Sequence, residues 1–426
     1  MTNADLAVNY TIGGTASNGA DYTAVGGSVT IPAGATNANI LIIPVDDNMW
    51  NEGGEAVALT LLQGGYIIGS PSNGMVTIED NDQSAAWSSR VKITFTGFAG
   101  GSTLTNFPAL VILGTNIANF SYSTFAAPAN GGDLRFVNSN ETTGLNYEIE
   151  QWNIGGSSYV WVQIPELSGT NTSIWALWGN AGKTNPPAFT TNGSAWSGGY
   201  GAVWHFSETQ PGVVNDSTAS RYNGSSTNME AGDQLAGLVD GSFDLNNDET
   251  NEAVTLDSNF TLPASSAFSI SAWIRPTADL LDYAGVLCSS GGDGDSFRIW
   301  TDDKPNFRIN AVTIPAFTSA VIMDGVTWTH IAVTRAPDGT IKAYKNGIDD
   351  TSGTPSSTAN FDIEYLGRGT TGDSRNWKGG LDEIRISTVV RSADWLRACY
   401  MNQSANALFN TYGRVTRYSG TVILIK

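Results

Sequence analysis

Apolar residues recur in this chain at alternate positions over short runs, and no long stretch spaces them as a helix would. Alternation buries one face of a strand, whereas a helix needs its apolar residues three and four apart. The runs are closed by Gly, Pro and Asn, which set turns. With 48 glycines and only 14% charged residues among 426, the chain reads as strands joined by polar turns. The fold class is all-β. A chain of this length makes about two to four domains, each able to bury a core.

Charge narrows the partners. Lys and Arg number 21 against 40 Asp and Glu, a net charge of −19. That balance repels phosphate backbones, so nucleic acid is not an expected partner. Acidic loops with few bases suit divalent cations better. The longest apolar runs fall far short of a membrane span. Two cysteines, Cys288 and Cys399, make no disulfide framework. They either pair with each other or stay as lone buried thiols. No signal peptide precedes Met1, so one has been removed or the chain is a trimmed one.

The first segment, residues 1–82, carries short alternating strands over Leu6 to Ile12, Ser28 to Ile31, Ala38 to Val45, Ala56 to Leu62 and Met75 to Ile78. Its stretches Gly14-Thr15-Ala16, Gly19-Ala20-Asp21-Tyr22, Ile31-Pro32-Ala33-Gly34, Val45-Asp46-Asp47, Glu52-Gly53-Gly54-Glu55 and Val76 to Asp82 resemble a Calx-beta domain, in order and spacing. The resemblance implies an extracellular immunoglobulin-like sandwich, here lacking its two opening strands. It also places Asp21, Asp46, Asp47, Glu52, Glu55, Asp80 and Asp82 in turns or at strand ends, several of them together at one pole. Clustered carboxylates repel unless a cation neutralises them, so structural Ca²⁺ is weighed there against a solvated acidic rim. A sandwich short of two strands exposes core and a sheet edge.

The second segment, 86–192, reads as another sandwich. Its Asp133-Leu134-Arg135-Phe136, Tyr147-Glu148-Ile149-Glu150, Trp161-Val162-Gln163-Ile164-Pro165 and Trp178-Gly179-Asn180 resemble an uncharacterised bacterial β domain that precedes concanavalin-like modules. Glu148 and Glu150 lie two apart on one strand and so share a face. A buried clamp between Arg135 and these carboxylates is preferred over a paired-carboxylate mechanism. Trp152, Trp161, Trp175 and Trp178 read as core rather than as a sugar platform.

The third segment, 196–412, contains Ala202-Val203-Trp204-His205-Phe206, Phe268 to Pro276, Trp328 to Arg335, Gly339 to Gly347 and Trp377 to Ile386. These resemble the laminin-G-like, concanavalin-type jelly roll. A helix over Ala393 to Asn402 follows a Ser392 cap. Glycosidases on this fold use closely spaced carboxylates on one strand, and no Glu-x-Asp-x-x-Glu occurs here. No Ser–His–Asp or Cys–His spacing is present, and His205 and His330 fall inside strand motifs. The module therefore reads as binding or structural, not as an enzyme. The resemblance implies Ca²⁺ ligands at Asp216 and Asp382. Trp300 and Trp377 are weighed as sugar-stacking or packing residues.

Residues 413–426 end in Thr421-Val422-Ile423-Leu424-Ile425, apolar on both faces and so a strand that needs cover on both sides. This tail resembles the strand that opens a Calx-beta domain. The expectation is a donor strand: the tail of one chain completes the first domain of the next, building an extracellular, head-to-tail homopolymer. The alternative is a cell-surface adhesin that binds glycans or matrix through the concanavalin-like module. A further one is a single repeat of a longer covalent array.

Overall fold

The computed structural model describes residues 3–45, 54–78, 86–245, 251–280, 282–289, 294–369 and 375–417. The chain divides into two compact units, one containing Met1–Ser88 and the other Ser89–Phe136 with Leu145–Arg417.

The first unit is a four-stranded antiparallel sheet in the order Ser28–Ile31, Leu6–Gly14, Glu55–Leu61, Asn73–Ile78. Register follows the alternation: Tyr10 faces Leu61 and Ile12 faces Leu59. Gly14 ends the first strand at φ +113°, where a Cβ would lie 1.9 Å from the Ala56 carbonyl oxygen. The expected strand over Ala38 to Val45 does not form among the described residues. Only Pro44 bridges, to Tyr22, with Thr23 N–H donating to Ile43 and Val45 N–H to Asp21. Burial is sparse. Ala16, Tyr22 and Val57 form the buried cluster, while Leu41 is 69%, Met75 71% and Ile67 99% exposed.

The second unit is two packed bodies joined by a helix. A sandwich brings a five-stranded sheet containing Ser89–Thr94, Ser173–Trp178 and Arg135–Asn138 against a three-stranded sheet of Leu104–Leu113, Ser158–Leu167 and Tyr147–Gln151. A jelly roll follows, built of two eight-stranded sheets. One of them centres on Phe268–Pro276, Gly379–Ser387 and Thr329–Arg335; the other runs through Ala253–Leu262, Phe361–Leu366, Gly285–Cys288, Ser296–Ile299 and Pro305–Ile309. Their inner faces share one core that includes Trp204, Phe243, Phe307, Ile331 and Trp377.

The helix forms where expected, over Ala393–Ser404, with the Ser392 Oγ accepting from Trp395 N–H at 3.1 Å. Its place was not expected. Trp395 meets Phe107 edge-on at 5.2 Å, and Leu396, Cys399 and Phe409 complete the core of the sandwich that precedes the jelly roll. On the other side Tyr400 stacks on Trp273 at 5.6 Å, and the Trp273 indole donates to Gln403. The boundary drawn between 192 and 196 therefore does not divide the chain into self-contained cores. The sandwich is completed by residues some three hundred positions downstream in the chain, because its own strands leave Phe107 and Phe95 without cover.

A buried asparagine knot fixes the same joint. Asn402, Asn406 and Asn410 each donate to the Leu110 carbonyl, at 3.1, 2.9 and 2.8 Å, while Asn402 Oδ1 accepts from Leu110 N–H at 2.5 Å. The first stretch of the expected tail is docked as well. Thr411–Tyr412 and Thr416–Arg417 pair with Ser89–Thr94, and Gly413 N–H donates to Lys92. Residues 413–417 are thus strand partners of the second unit, not a free arm, because the Ser89–Thr94 edge offers unpaired backbone groups. Thr421 to Ile425 lie outside the described residues. Cys288 and Cys399 are both free and buried.

Candidate functional site

Among the described residues, two places bring chemistry-bearing side chains together, one sealed and one open. The sealed one lies where the sandwich meets the jelly roll. Glu148 and Glu150 project from the same face of Tyr147–Gln151, as period two requires. Their partner is not Arg135, whose guanidinium donates to the carbonyls of Gly132, Leu134 and Asn185. They meet His205, which follows the strand Tyr200–Trp204. His205 Nδ1 lies 2.6 Å from Glu383 Oε1 and 3.6 Å from Glu150 Oε2, and Nε2 lies 4.0 Å from Glu148.

Glu383 reaches this seam through a bulge. The pairing of Phe268–Pro276 with Gly379–Ser387 slips between Ser271 and Trp273. Leu381 and Ile384 then both enter the core, while Asp382 and Glu383, although adjacent, both leave it. Glu383 sits at φ 51°, in the left-handed region a glutamate seldom adopts. Arg385 holds its other oxygen, through Nε at 2.8 Å and Nη2 at 2.5 Å. The guanidinium is stacked 4.2 Å from the Trp161 ring and 4.8 Å from Trp196. The same indoles donate to the glutamates, Trp161 to Glu150 at 2.6 Å and Trp196 to Glu148.

Burial and charge set the protonation states. Burial alone would lower the His205 pKa, but Glu383, Glu150 and Glu148 outweigh it and raise it to about 10. Burial holds Glu150 well above the carboxylate range, although His205 opposes this. Burial also raises Asp382, whose Oδ2 accepts from Leu238 and Val239 amides at 2.8 and 3.0 Å. Burial would raise Glu383 too, yet Arg385 and His205 lower it. The seam is therefore an ion network of Glu383, His205 and Arg385, beside which burial shifts Glu150 and Asp382 towards their neutral forms. Glu150, His205 and Glu383 bring three donor atoms within 4.8 Å of one another, a spacing also open to a metal ion. Arg385 already supplies the positive charge such an ion would bring. The side chains of His205, Glu150 and Glu383 are at most 6% exposed, so no substrate reaches them.

Of the expected calcium ligands, Asp21, Glu55, Asp216 and Asp382 lie among the described residues. Asp216 accepts from Val203 and Thr218 amides at 2.9 Å each, from Thr218 Oγ1 at 2.8 Å and from Tyr222 N–H at 2.8 Å. Four donors thus surround this buried carboxylate. Asp382 faces the seam. Asp21 Oδ2 accepts from Ser17 N–H at 2.5 Å, and Glu55 opens a strand. Asp46, Asp47, Glu52, Asp80 and Asp82 lie outside the described residues.

The open place is on the jelly roll. Trp377 is fully buried in the core, but Trp300 is half-buried, with its ring 4.7 Å from Tyr283 and edge-on to it. Both flank Arg298, whose guanidinium lies 5.2 Å from the Tyr283 ring and 4.8 Å from Trp300. Phe297 and Ile299 point into the core, so Arg298 lies on the opposite face of its sheet, where it is buried, 2% exposed, against the two rings. Its Nε donates to Asn306 Oδ1 and its Nη2 to Thr313 Oγ1, both at 3.2 Å. Paired half-exposed rings over polar donors are a surface on which a sugar ring can stack. Of the four tryptophans read as core in the second segment, Trp161 and Trp178 are fully buried; Trp175 and Trp152 are half-buried.

Residues 248–397 match the Concanavalin A-like lectin/glucanases superfamily, and residues 130–210 match a domain of unknown function, DUF2341. The chain thus carries a concanavalin-like jelly roll in a nearly all-β fold. These matches do not show a Calx-beta domain. No curated protein matches the chain. Among solved structures, it is similar to domain 4 of an extracellular arabinanase of Geobacillus stearothermophilus, in complex with arabinotriose. The identity is 20% and the TM-score 0.37, over 46% of this chain and 96% of that one. It is also similar to the binding domain of Paraclostridial Mosquitocidal Protein 1, at 17% identity and a TM-score of 0.35, over 47% of this chain and 52% of that one. A Trypanosoma rangeli sialidase follows at 11% identity and a TM-score of 0.34, over 49% of this chain and 34% of that one. All three are too remote to carry a functional inference. No described helix is long and apolar enough to cross a membrane.

Proposed function

We propose that this chain is a non-enzymatic, extracellular carbohydrate-binding protein that acts through the outer face of its jelly roll. The observation that carries the reading is the half-buried Tyr283–Trp300 pair around Arg298, on a domain that matches the concanavalin A-like superfamily. Stacking of a sugar on one such ring contributes on the order of 1 kcal/mol or more. Trp300→Ala therefore weakens glycan binding about tenfold while leaving the fold intact, read on a glycan array followed by calorimetry with the full chain. Equal binding by the variant and the parent sinks the reading.

A second reading rests on a different observation. The first unit leaves Leu41, Ile43, Ile67, Met75 and Val76 exposed around a small core. Such a surface suits an added apolar strand, and Thr421 to Ile425 of another copy is the candidate. A chain ended after Arg417 keeps every strand pairing of the second unit and removes only that segment. It is expected to be monomeric where the full chain self-associates, as read by light scattering. Assembly of the shortened chain, or a monomeric full chain, removes donor-strand joining.

A further inference from the structure

We infer that the jelly-roll face carrying Tyr283 and Trp300 takes an acidic saccharide, one bearing carboxylate or sulfate groups. The inference rests on the carbohydrate reading above and deepens it. The chain has a net charge of −19 and only 21 basic residues. Against that background, one sheet face gathers four arginines.

Cross-strand register places them. Arg298 lies opposite Gly285 on one side and Asn306 on the other. One step along, Tyr365, Cys288, Ser296, Arg308 and Thr313 form a continuous row over five strands. Arg368 lies 5.2 Å from the Tyr365 ring, and Arg375 lies 5.3 Å from Tyr283. Close backbone approach ties these pieces together. A Cβ on Gly285 would stand 2.2 Å from the Arg368 carbonyl oxygen, and Gly285 N–H donates to the Arg375 carbonyl at 3.3 Å. The glycine is what lets both arginine-bearing segments close over the strand.

The acids on this face are partly spoken for. Asp295 accepts from Asn310 and Asp362 amides at 2.6 and 2.9 Å, and burial raises its pKa. Glu364 lies beside Tyr365. On the half-buried Arg375, Nη1 has no hydrogen-bond partner. A buried donor without an acceptor is costly, and an anionic oxygen satisfies it. Guanidinium groups bind carboxylate and sulfate oxygens through paired N–H donors, while the rings of Trp300 and Tyr283 take the sugar's apolar face. A neutral glycan uses the rings and can accept from the arginines through its hydroxyls, but it brings no opposite charge to pair with them.

The test is calorimetry of the full chain against polygalacturonate and heparin, with dextran and arabinan as neutral probes, at low and high salt. Tighter binding of an anionic probe that weakens as salt rises supports the inference. Arg308→Gln with Arg375→Gln should lower that affinity by about tenfold or more, since each removes a charged donor facing the anion. Arg308→Lys, which keeps the charge, should lose less, and a melting curve confirms that each variant folds. Neutral probes bound as well as anionic ones, with the double variant unaffected, overturn the acidic preference and keep the carbohydrate reading. Binding of no probe at all overturns both.

Discussion

Replacing Arg385 with methionine is expected to lower the stability of the second unit by about 3–5 kcal/mol, the usual cost of leaving one buried charge without its partner. Arg385 is 3% exposed and Glu383 0%, and the two are joined at 2.5 Å. Without the guanidinium, Glu383 keeps only His205, while the Trp161 and Trp196 rings lose the planar group packed between them. Urea unfolding of parent and variant gives the difference, and a change under about 1 kcal/mol would show that the network is not coupled as its geometry requires.

The same network gives a sign for pH. His205 is raised from 6.5 to about 10, so its contribution is complete below about pH 6.5 and is lost as pH climbs towards 10. Glu150 and Asp382 hold protons above their ordinary range, and Asp240 at the rim is raised by burial to about 6, all of the same sign. Glu383 is lowered, so its contribution disappears only in acid. The urea midpoint therefore falls between pH 6.5 and 10, and His205→Gln flattens the fall. A midpoint that rises over this range contradicts a protonated His205.

Trp395→Ala is the second large effect, at about 3–5 kcal/mol, because it opens a cavity that the strands around it cannot fill by collapse. Trp395 is 5% exposed, packs edge-on to Phe107 and lies under the Arg391 guanidinium at 3.9 Å. Since the helix serves both bodies of the second unit, unfolding of the variant should stay a single transition with a lower midpoint. Two separated transitions would show that the sandwich and the jelly roll are independent domains, as their sequence boundaries alone imply. Asn402→Leu is a milder form of the same test, leaving the Leu110 N–H without its 2.5 Å acceptor.

Strand positions were legible from the chain because alternation is a local property: Ser28–Ile31 matches its expected span, and Tyr147–Gln151 runs one residue past the stretch Tyr147 to Glu150. The helix was legible for the same reason, since Ser392 and the apolar spacing after it are neighbours in sequence. The shared face of Glu148 and Glu150 followed from period two as well. Their partner did not. Arg135 is near in sequence, but His205, Glu383 and Arg385 lie up to some two hundred residues away. The bulge that turns Asp382 and Glu383 outward is visible only in the strand pairing. The asparagines at 402, 406 and 410 sit in the long helix, at the start of the short helical turn after it and just past that turn's end. That they converge on Leu110, nearly three hundred residues upstream, depended on the helix crossing the sandwich. Sequence alone therefore determined an all-β chain with one C-terminal helix, because backbone periodicity is written in adjacent residues. Tertiary structure alone decided which charges meet, which core the helix completes and which tryptophan stays at the surface, because each depends on contacts between residues that local periodicity does not relate.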